Sequence, residues 1–391
     1  MKKNIILSVV CGMVAMASLT SCNDFLQVSA TNQKEMDKSF TTYDELRLAT
    51  AYLYMKPWFG FHSTRLFAMG DARGNNIYGD NNNETGYAPY CLFTDKPNTP
   101  GLADAWNSLY IVVTQADYII NDYAPQGRQH FSEAQANACE GEARFMRAAA
   151  YYYLASYWHD VPIMENPIAH TEAFNMAPTR YGIRDLEYAA EWLPLADADG
   201  RVTRYSALGL LARYYVTLAA YARGGHCTQA TMDYYEASGS HDLADILYDL
   251  AKEAAGEVIL AQNRYGLMEE YEEIFRVQNN NCKEVLFALQ PLQGVDSYGM
   301  GNSNGSGLCS YTELLNGLSA YNSSYVSYDC LRMLINSGGR SRLRGNVLCP
   351  GEFYDYIGTH LVDGGWAAGY KGGQKAAGLE TNRKVAFKKQ V

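Results

Sequence analysis

Residues 141–162 read GEARFMRAAAYYYLASYWHDVP, and their spacing decides the fold class. Met146, Ala149, Ala150, Tyr153, Leu154 and Tyr157 recur at helical intervals, so one apolar stripe runs along a helix that begins after Ser132 and stops before Pro162. The texture returns 63 residues on, where Ala212-Arg213-Tyr214-Tyr215 echoes Ala149-Ala150-Tyr151-Tyr152. That interval is about twice the roughly 34-residue period of tetratricopeptide repeats. Small alanines alternating with bulky tyrosines suit helices that must stack on a neighbour to bury a face.

Working outward, further stripes appear on both sides. Trp106, Leu109, Tyr110, Val113 and Ile120 share one face; Ile183, Leu186, Ala190 and Leu193 form another, stopped at Pro194. Leu208, Leu211, Ala212, Tyr215, Leu218 and Ala219 run to Gly224-Gly225, and Leu243, Ile246, Leu247, Leu250, Ala251, Ala254 and Val258 follow. Thr42-Tyr43-Asp44-Glu45 is a capping box opening a helix that should end before Pro57. From Thr42 to Phe275 the chain reads as serial helical hairpins.

Three segments break this pattern. Phe59–Pro100 is rich in Gly, Asn and Asp and is expected to be a long ordered loop region. Glu284–Gln290 reads as a short strand. Residues 291–391 hold half of the 34 glycines and read as an irregular unit resting on the scaffold. The N-terminus places Lys2 and Lys3 before an apolar run from Ile5 to Leu19 and then Leu19-Thr20-Ser21-Cys22. This is a lipoprotein signal ending in a lipobox, predicting cleavage and lipid modification at Cys22. The expected organisation is a leader at 1–21, a helical scaffold at 22–280 with a loop insertion at 59–100, and a loop-rich region at 281–391.

Composition narrows the chemistry. The net charge is −10, and two lysines leave with the leader, which disfavours nucleic-acid binding. Beyond Cys11 and Cys22 seven cysteines remain (Cys91, Cys139, Cys227, Cys282, Cys309, Cys330, Cys349) with no Cys-x-x-Cys pair, so spacing supplies neither a zinc site nor a redox motif and favours buried or unpaired thiols. No nucleotide loop, nucleophile elbow or His-Glu-x-x-His is present, and no carboxylate stands in a recognisable catalytic context. Tyrosine is over-represented, 32 against 13 Phe, and Tyr pairs a flat apolar face with a polar rim. Trp58, Tyr78, Tyr87, Tyr90, Tyr298, Tyr311, Tyr321, Tyr325, Tyr328 and Trp366 lie in or beside loops among Asn, Ser, Asp and Arg. Rings that stack on a sugar's C–H face, with amides, carboxylates and guanidinium taking its hydroxyls, would make a glycan platform. The candidate ligand residues are Trp58, Asp71, Arg73, Asn75, Asn76, Tyr78, Tyr298, Tyr311, Tyr325 and Trp366; the helical tyrosines 151–153, 214 and 215 are expected to be core, and His159 a turn or cap residue.

Several ordered motifs carry a resemblance: Cys22-Asn23-Asp24-Phe25-Leu26 after the lipobox, Trp106-Asn107-Ser108-Leu109-Tyr110 leading to Ala116-Asp117-Tyr118-Ile119-Ile120-Asn121, residues 141–162 themselves, Thr203 to Arg213, and Lys283-Glu284-Val285-Leu286-Phe287. The chain resembles the SusD/RagB family of surface lipoproteins of the Bacteroidetes. The resemblance implies a mainly α fold: a tetratricopeptide-like helical-hairpin scaffold with an irregular loop-rich ligand-binding region. It implies a lipid-anchored outer-membrane protein, exposed at the cell surface, that takes an oligosaccharide or other nutrient to a SusC-like TonB-dependent transporter, with no catalysis, no cofactor and no metal. Family ligand sites draw on the segments corresponding to Phe59–Pro100 and to the residues after Gln290. The alternatives are a non-binding lid or scaffold for the transporter and a surface glycan hydrolase. The resemblance also implies a later helical segment with an Arg-x-Ala-Glu-like motif, whereas this sequence stops at Val391, so the chain is expected to be C-terminally truncated.

Overall fold

Thr42 opens the scaffold by the predicted mechanism. Its Oγ1 accepts from the Glu45 amide (3.3 Å) while Glu45 Oε2 accepts from the Thr42 amide (3.2 Å), satisfying two donors at the start of α1, Tyr43–Ala51. The computed structural model describes residues 40–54, 56–62, 65–78, 87–166, 178–290, 325–337, 339–348 and 386–387. Cys22, Tyr298, Tyr311, Tyr321 and Trp366, with Cys309 and Cys349, lie outside the described residues.

After α1 come α2, Leu102–Tyr118, which runs into a π-helical turn at Ile119–Tyr123, and α3, Glu133–Trp158, N-capped by Ser132. Then follow α4, Pro178–Trp192; α5, Arg204–Arg223; and α6, Ser240–Leu260. Helix α5 starts at a second capping box, Thr203 with Ser206, and ends at Gly224. Each long helix packs on the next, α2 on α3, α3 on α4, α4 on α5 and α5 on α6. The shared core includes Leu109, Val113, Met146, Leu154, Ile183, Leu186, Leu211, Leu218, Leu243 and Leu247. The fold is mainly helical, a stack of hairpins as the periodicity predicts.

Tyrosine contributes to the hairpin interfaces. Tyr214 on α5 is buried and donates its hydroxyl to the carbonyl of Ala148 on α3 (2.6 Å). It reaches that carbonyl past Gly182 on α4, where a Cβ would lie 2.4 Å from the Tyr214 hydroxyl. Tyr151 and Tyr215 are likewise core, while Tyr152 and Tyr153 keep partial exposure.

Two sequence expectations are corrected. Phe59–Pro100 is not loop throughout: Phe59–His62, Arg65–Phe67 and Ala88–Cys91 form short helical turns and Ala68–Ala72 a π-helical turn. Burial of Phe61, Phe67, Ala68 and Ala72 outweighs the weak local helix preference of the glycines around them. Glu284–Gln290 is not a strand either. It is a strap: Phe287 meets Phe145 and Tyr54 edge-on (5.2 and 6.1 Å between centroids), and the Leu286 carbonyl accepts from Ser206 Oγ (2.6 Å). Its apolar residues serve packing on helices.

The region after residue 290, read as loop-dominated, contains in its described part helices α7, Tyr328–Asn336, and α8, Arg340–Asn346. It also contributes three of the four short strands among the described residues: β1 Ile77–Tyr78, β2 Tyr325–Val326, β3 Val347–Leu348 and β4 Ala386–Phe387. They pair antiparallel in the order β1-β2-β4-β3, with Ile77 opposite Val326 and Tyr78 opposite Tyr325. The sheet thus ties the early insertion to the C-terminal region.

Candidate functional site

The site is built where that insertion meets β2 and α7. Residues 68–78 leave the π-helical turn through a tight bend in which the Gly74 amide donates to the Gly70 carbonyl (2.7 Å) and the Asn76 amide to the Asp71 carbonyl (2.8 Å). The Asn76 side chain adds a bond to Asp71 Oδ1 (3.1 Å). Asn75 takes a left-handed conformation, φ 59°, which Asn tolerates better than most residues. The bend then docks on the later segment: the Ser327 amide donates to the Asn76 carbonyl (2.9 Å), Ser327 Oγ donates to the Asn75 carbonyl, and Asn75 Nδ2 donates to Asp329 Oδ2 (3.3 Å).

Two exposed rings flank this junction. Phe93 follows the Ala88–Cys91 turn, is 67% exposed, and carries the Arg73 guanidinium over its face at 4.7 Å. Arg73 also pairs with Asp95. Tyr328, first residue of α7, is 55% exposed beside Arg332, which pairs with Asp329 (3.3 Å). The Tyr90 hydroxyl is buried with no hydrogen-bond partner among the described residues, and desolvation raises its pKa while Arg65, Asp95 and Arg73 act on it electrostatically.

Of the predicted ligand residues, Asp71, Arg73, Asn75, Asn76 and Tyr78 fall together at this junction, and the backbone of Tyr325 pairs with Tyr78. Trp58 is a correction: it is 4% exposed, and its indole N–H donates to the Leu53 carbonyl (2.7 Å), so it is a core residue. Tyr87 and Tyr90 are also buried. Phe93 was missed; an apolar pair, Leu92-Phe93, stranded before Thr94-Asp95-Lys96-Pro97 is the signal that could have found it. His159 caps α3 at φ 65°, as expected.

Glu142, Arg144 and Arg147 of the 141–162 motif are scaffold. Arg147 is buried, bridges both oxygens of Asp185 on α4 (2.8 and 2.7 Å) and reaches Asp117 on α2 (2.5 Å). Arg144 joins Asp185 to Glu140 (2.9 and 2.7 Å). Glu142 accepts from Tyr54 (2.7 Å), Arg201 (2.6 Å) and Arg47 (3.1 Å), and Arg47 clamps Asp197 (2.6 and 2.8 Å). Burial pushes Asp117 up to about 7 against the pull of Arg147, and its Oδ2 has no partner among the described residues. Among the described residues no His/Cys/Asp/Glu cluster could hold a metal ion, and no helix is long and apolar enough to cross a membrane. Among the described residues Cys139, Cys227, Cys282 and Cys330 are free thiols.

Comparison with known proteins agrees with this architecture. Residues 24–216 match the family model SusD-like_3, described as starch-binding associating with outer membrane. A SusD-like protein of Bacteroides ovatus is 30% identical over 364 residues, covering 90% of this chain and 61% of the relative, so the chain spans about three fifths of that relative's length. A crystal structure with xylogluco-oligosaccharide superposes with a TM-score of 0.68 at 26% identity, covering 88% of this chain and 63% of the other. A laminarin-binding SusD-like protein shares the fold, with a TM-score of 0.59 at 19% identity over 78% of this chain and 66% of its own. Hairpin stack, motif network and these likenesses converge: the chain belongs to the SusD-like family.

Proposed function

We propose that this protein binds a glycan at the outer-membrane surface, without cleaving it, and passes it to a SusC-like TonB-dependent transporter, held there by lipid on Cys22. The observation that carries the reading is the junction of residues 73–78 with α7. It sets two exposed rings, Phe93 and Tyr328, among Arg73, Asp95, Asp329 and Arg332. Rings supply stacking faces for sugar C–H groups, and charged rims supply hydroxyl partners. The xylogluco-oligosaccharide held by a structurally similar protein supports the ligand class. Stacking on exposed rings gives modest affinity, about 10 µM to 1 mM, or roughly −7 to −4 kcal/mol. A lipid anchor beside a transporter makes such affinity useful by keeping the binder close to the pore.

The test is affinity electrophoresis against xyloglucan, laminarin and starch, confirmed by calorimetry. Retardation by one of them, lost in Phe93→Ala and Tyr328→Ala, supports the reading. Co-purification with the transporter by a folded chain that binds no polysaccharide favours the lid or scaffold role, and sugar release from a polysaccharide would revive the hydrolase.

A further inference from the structure

We infer that Asn75 and Ser327 are positioning residues: they form a clasp that sets Tyr328 against the Arg73–Phe93 side of the site, and neither needs to touch the sugar. The inference rests on the glycan-binding reading above. One atom, Ser327 Oγ, does two jobs. It donates to the Asn75 carbonyl and accepts from the Cys330 amide (3.1 Å), so the N-cap of α7 and the anchor to the bend are one hydroxyl. Ser327 is 7% exposed, so this hydroxyl is shielded from competing water. Its amide holds the next carbonyl, that of Asn76 (2.9 Å).

Two successive carbonyls can face one residue only because the chain turns at Asn75, at φ 59°. A β-carbon without Asn's local hydrogen bonding resists that conformation, whereas Gly adopts it freely. The Asn75 side-chain Nδ2 is committed to Asp329 Oδ2 (3.3 Å), the residue after Tyr328. Tyr328 therefore emerges between two tethered neighbours, Ser327 and Asp329, both fixed to the same bend. The sequence separation is 252 residues between Asn75 and Ser327, so the clasp joins two segments that no local propensity would hold together.

The test compares Asn75→Ala, Asn75→Gly and Ser327→Ala with the unaltered chain in two measurements. The first is calorimetric affinity for xylogluco-oligosaccharide and laminarin oligosaccharide; the second is hydrogen exchange of the α7 amides. Asn75→Ala and Ser327→Ala should weaken binding about tenfold and speed α7 exchange, while Asn75→Gly, which keeps the turn but loses the Asp329 tether, should fall between the unaltered chain and Asn75→Ala in both measurements. Asn75→Gly as weak as Asn75→Ala, with α7 exchange unchanged, would mean the Asn75 side chain meets the sugar and would overturn the inference. Unchanged α7 exchange in both Asn75→Ala and Ser327→Ala would overturn it outright. If the unaltered chain binds neither sugar while the two alanine variants still loosen α7, the glycan reading falls and the clasp stands.

Discussion

Arg147 on α3 and Asp185 on α4 form a buried two-point ion pair, Nε to Oδ2 at 2.8 Å and Nη2 to Oδ1 at 2.7 Å. The pair locks the rotation of one helix against the next, and Arg147 reaches across to Asp117 on α2 with its third nitrogen. One guanidinium thus indexes three successive helices. Arginine suits the position because its planar fork matches a carboxylate at two points.

Removing that guanidinium leaves Asp117 without its partner and Asp185 with Arg144 alone. We expect Arg147→Met to cost about 3–5 kcal/mol in urea unfolding, with Arg147→Lys recovering only part because an ammonium cannot span both oxygens. A loss under about 1 kcal/mol would show that the network is not a stability element.

Asp117 supplies a pH signature. Burial raises its carboxyl from 3.8 to about 7 in the folded chain. Between those values the folded state keeps a proton that the unfolded state has released, so this group's contribution to stability falls as pH rises through the window. Asp117→Asn keeps an acceptor for Arg147 and cannot titrate. Relative to that variant, the unaltered chain should lose roughly 2–4 kcal/mol between pH 4 and pH 8. Parallel pH–stability curves would contradict the assignment.

Two glycines should respond oppositely to alanine. Gly→Ala inside a helix normally stabilises by about 0.5–1 kcal/mol. At Gly256 on α6 nothing lies within 4 Å of an added Cβ, and that gain is expected. At Gly182 the Cβ would meet Tyr214 at 2.4 Å, so Gly182→Ala should destabilise by about 1–3 kcal/mol, read as a fall in Tm.

Most of the scaffold was legible because its signals are local. Thr42 and Ser132 open helices, Gly224 ends one, and the 3.6-residue stripes lie within single helices. What escaped depends on partners far along the chain. Nothing near Arg147 announces Asp185, 38 residues away, and nothing near Asn75 announces Ser327. Apolar runs are ambiguous: Glu284–Gln290 has a strand's composition but packs as a strap, because Phe287 finds Phe145 and Tyr54. Aromatic residues in polar surroundings were equally ambiguous. Trp58 is in the core and Phe93 is in solvent, and only tertiary packing separates them. Asp71, Arg73, Asn75, Asn76 and Tyr78 lie in a Gly- and Asn-rich stretch that marks a bend, and their division between bracing and ligand contact is not readable in the sequence.

The most direct test of the glycan reading is affinity electrophoresis of the unaltered chain beside Phe93→Ala/Tyr328→Ala in gels containing xyloglucan, laminarin or starch, with Tm measured on the same samples. The account predicts retardation of the unaltered chain by at least one polysaccharide and an affinity loss of about tenfold or more in the double variant, with Tm unchanged. Retardation identical in both proteins, or none for a chain that is folded by its Tm, would contradict it.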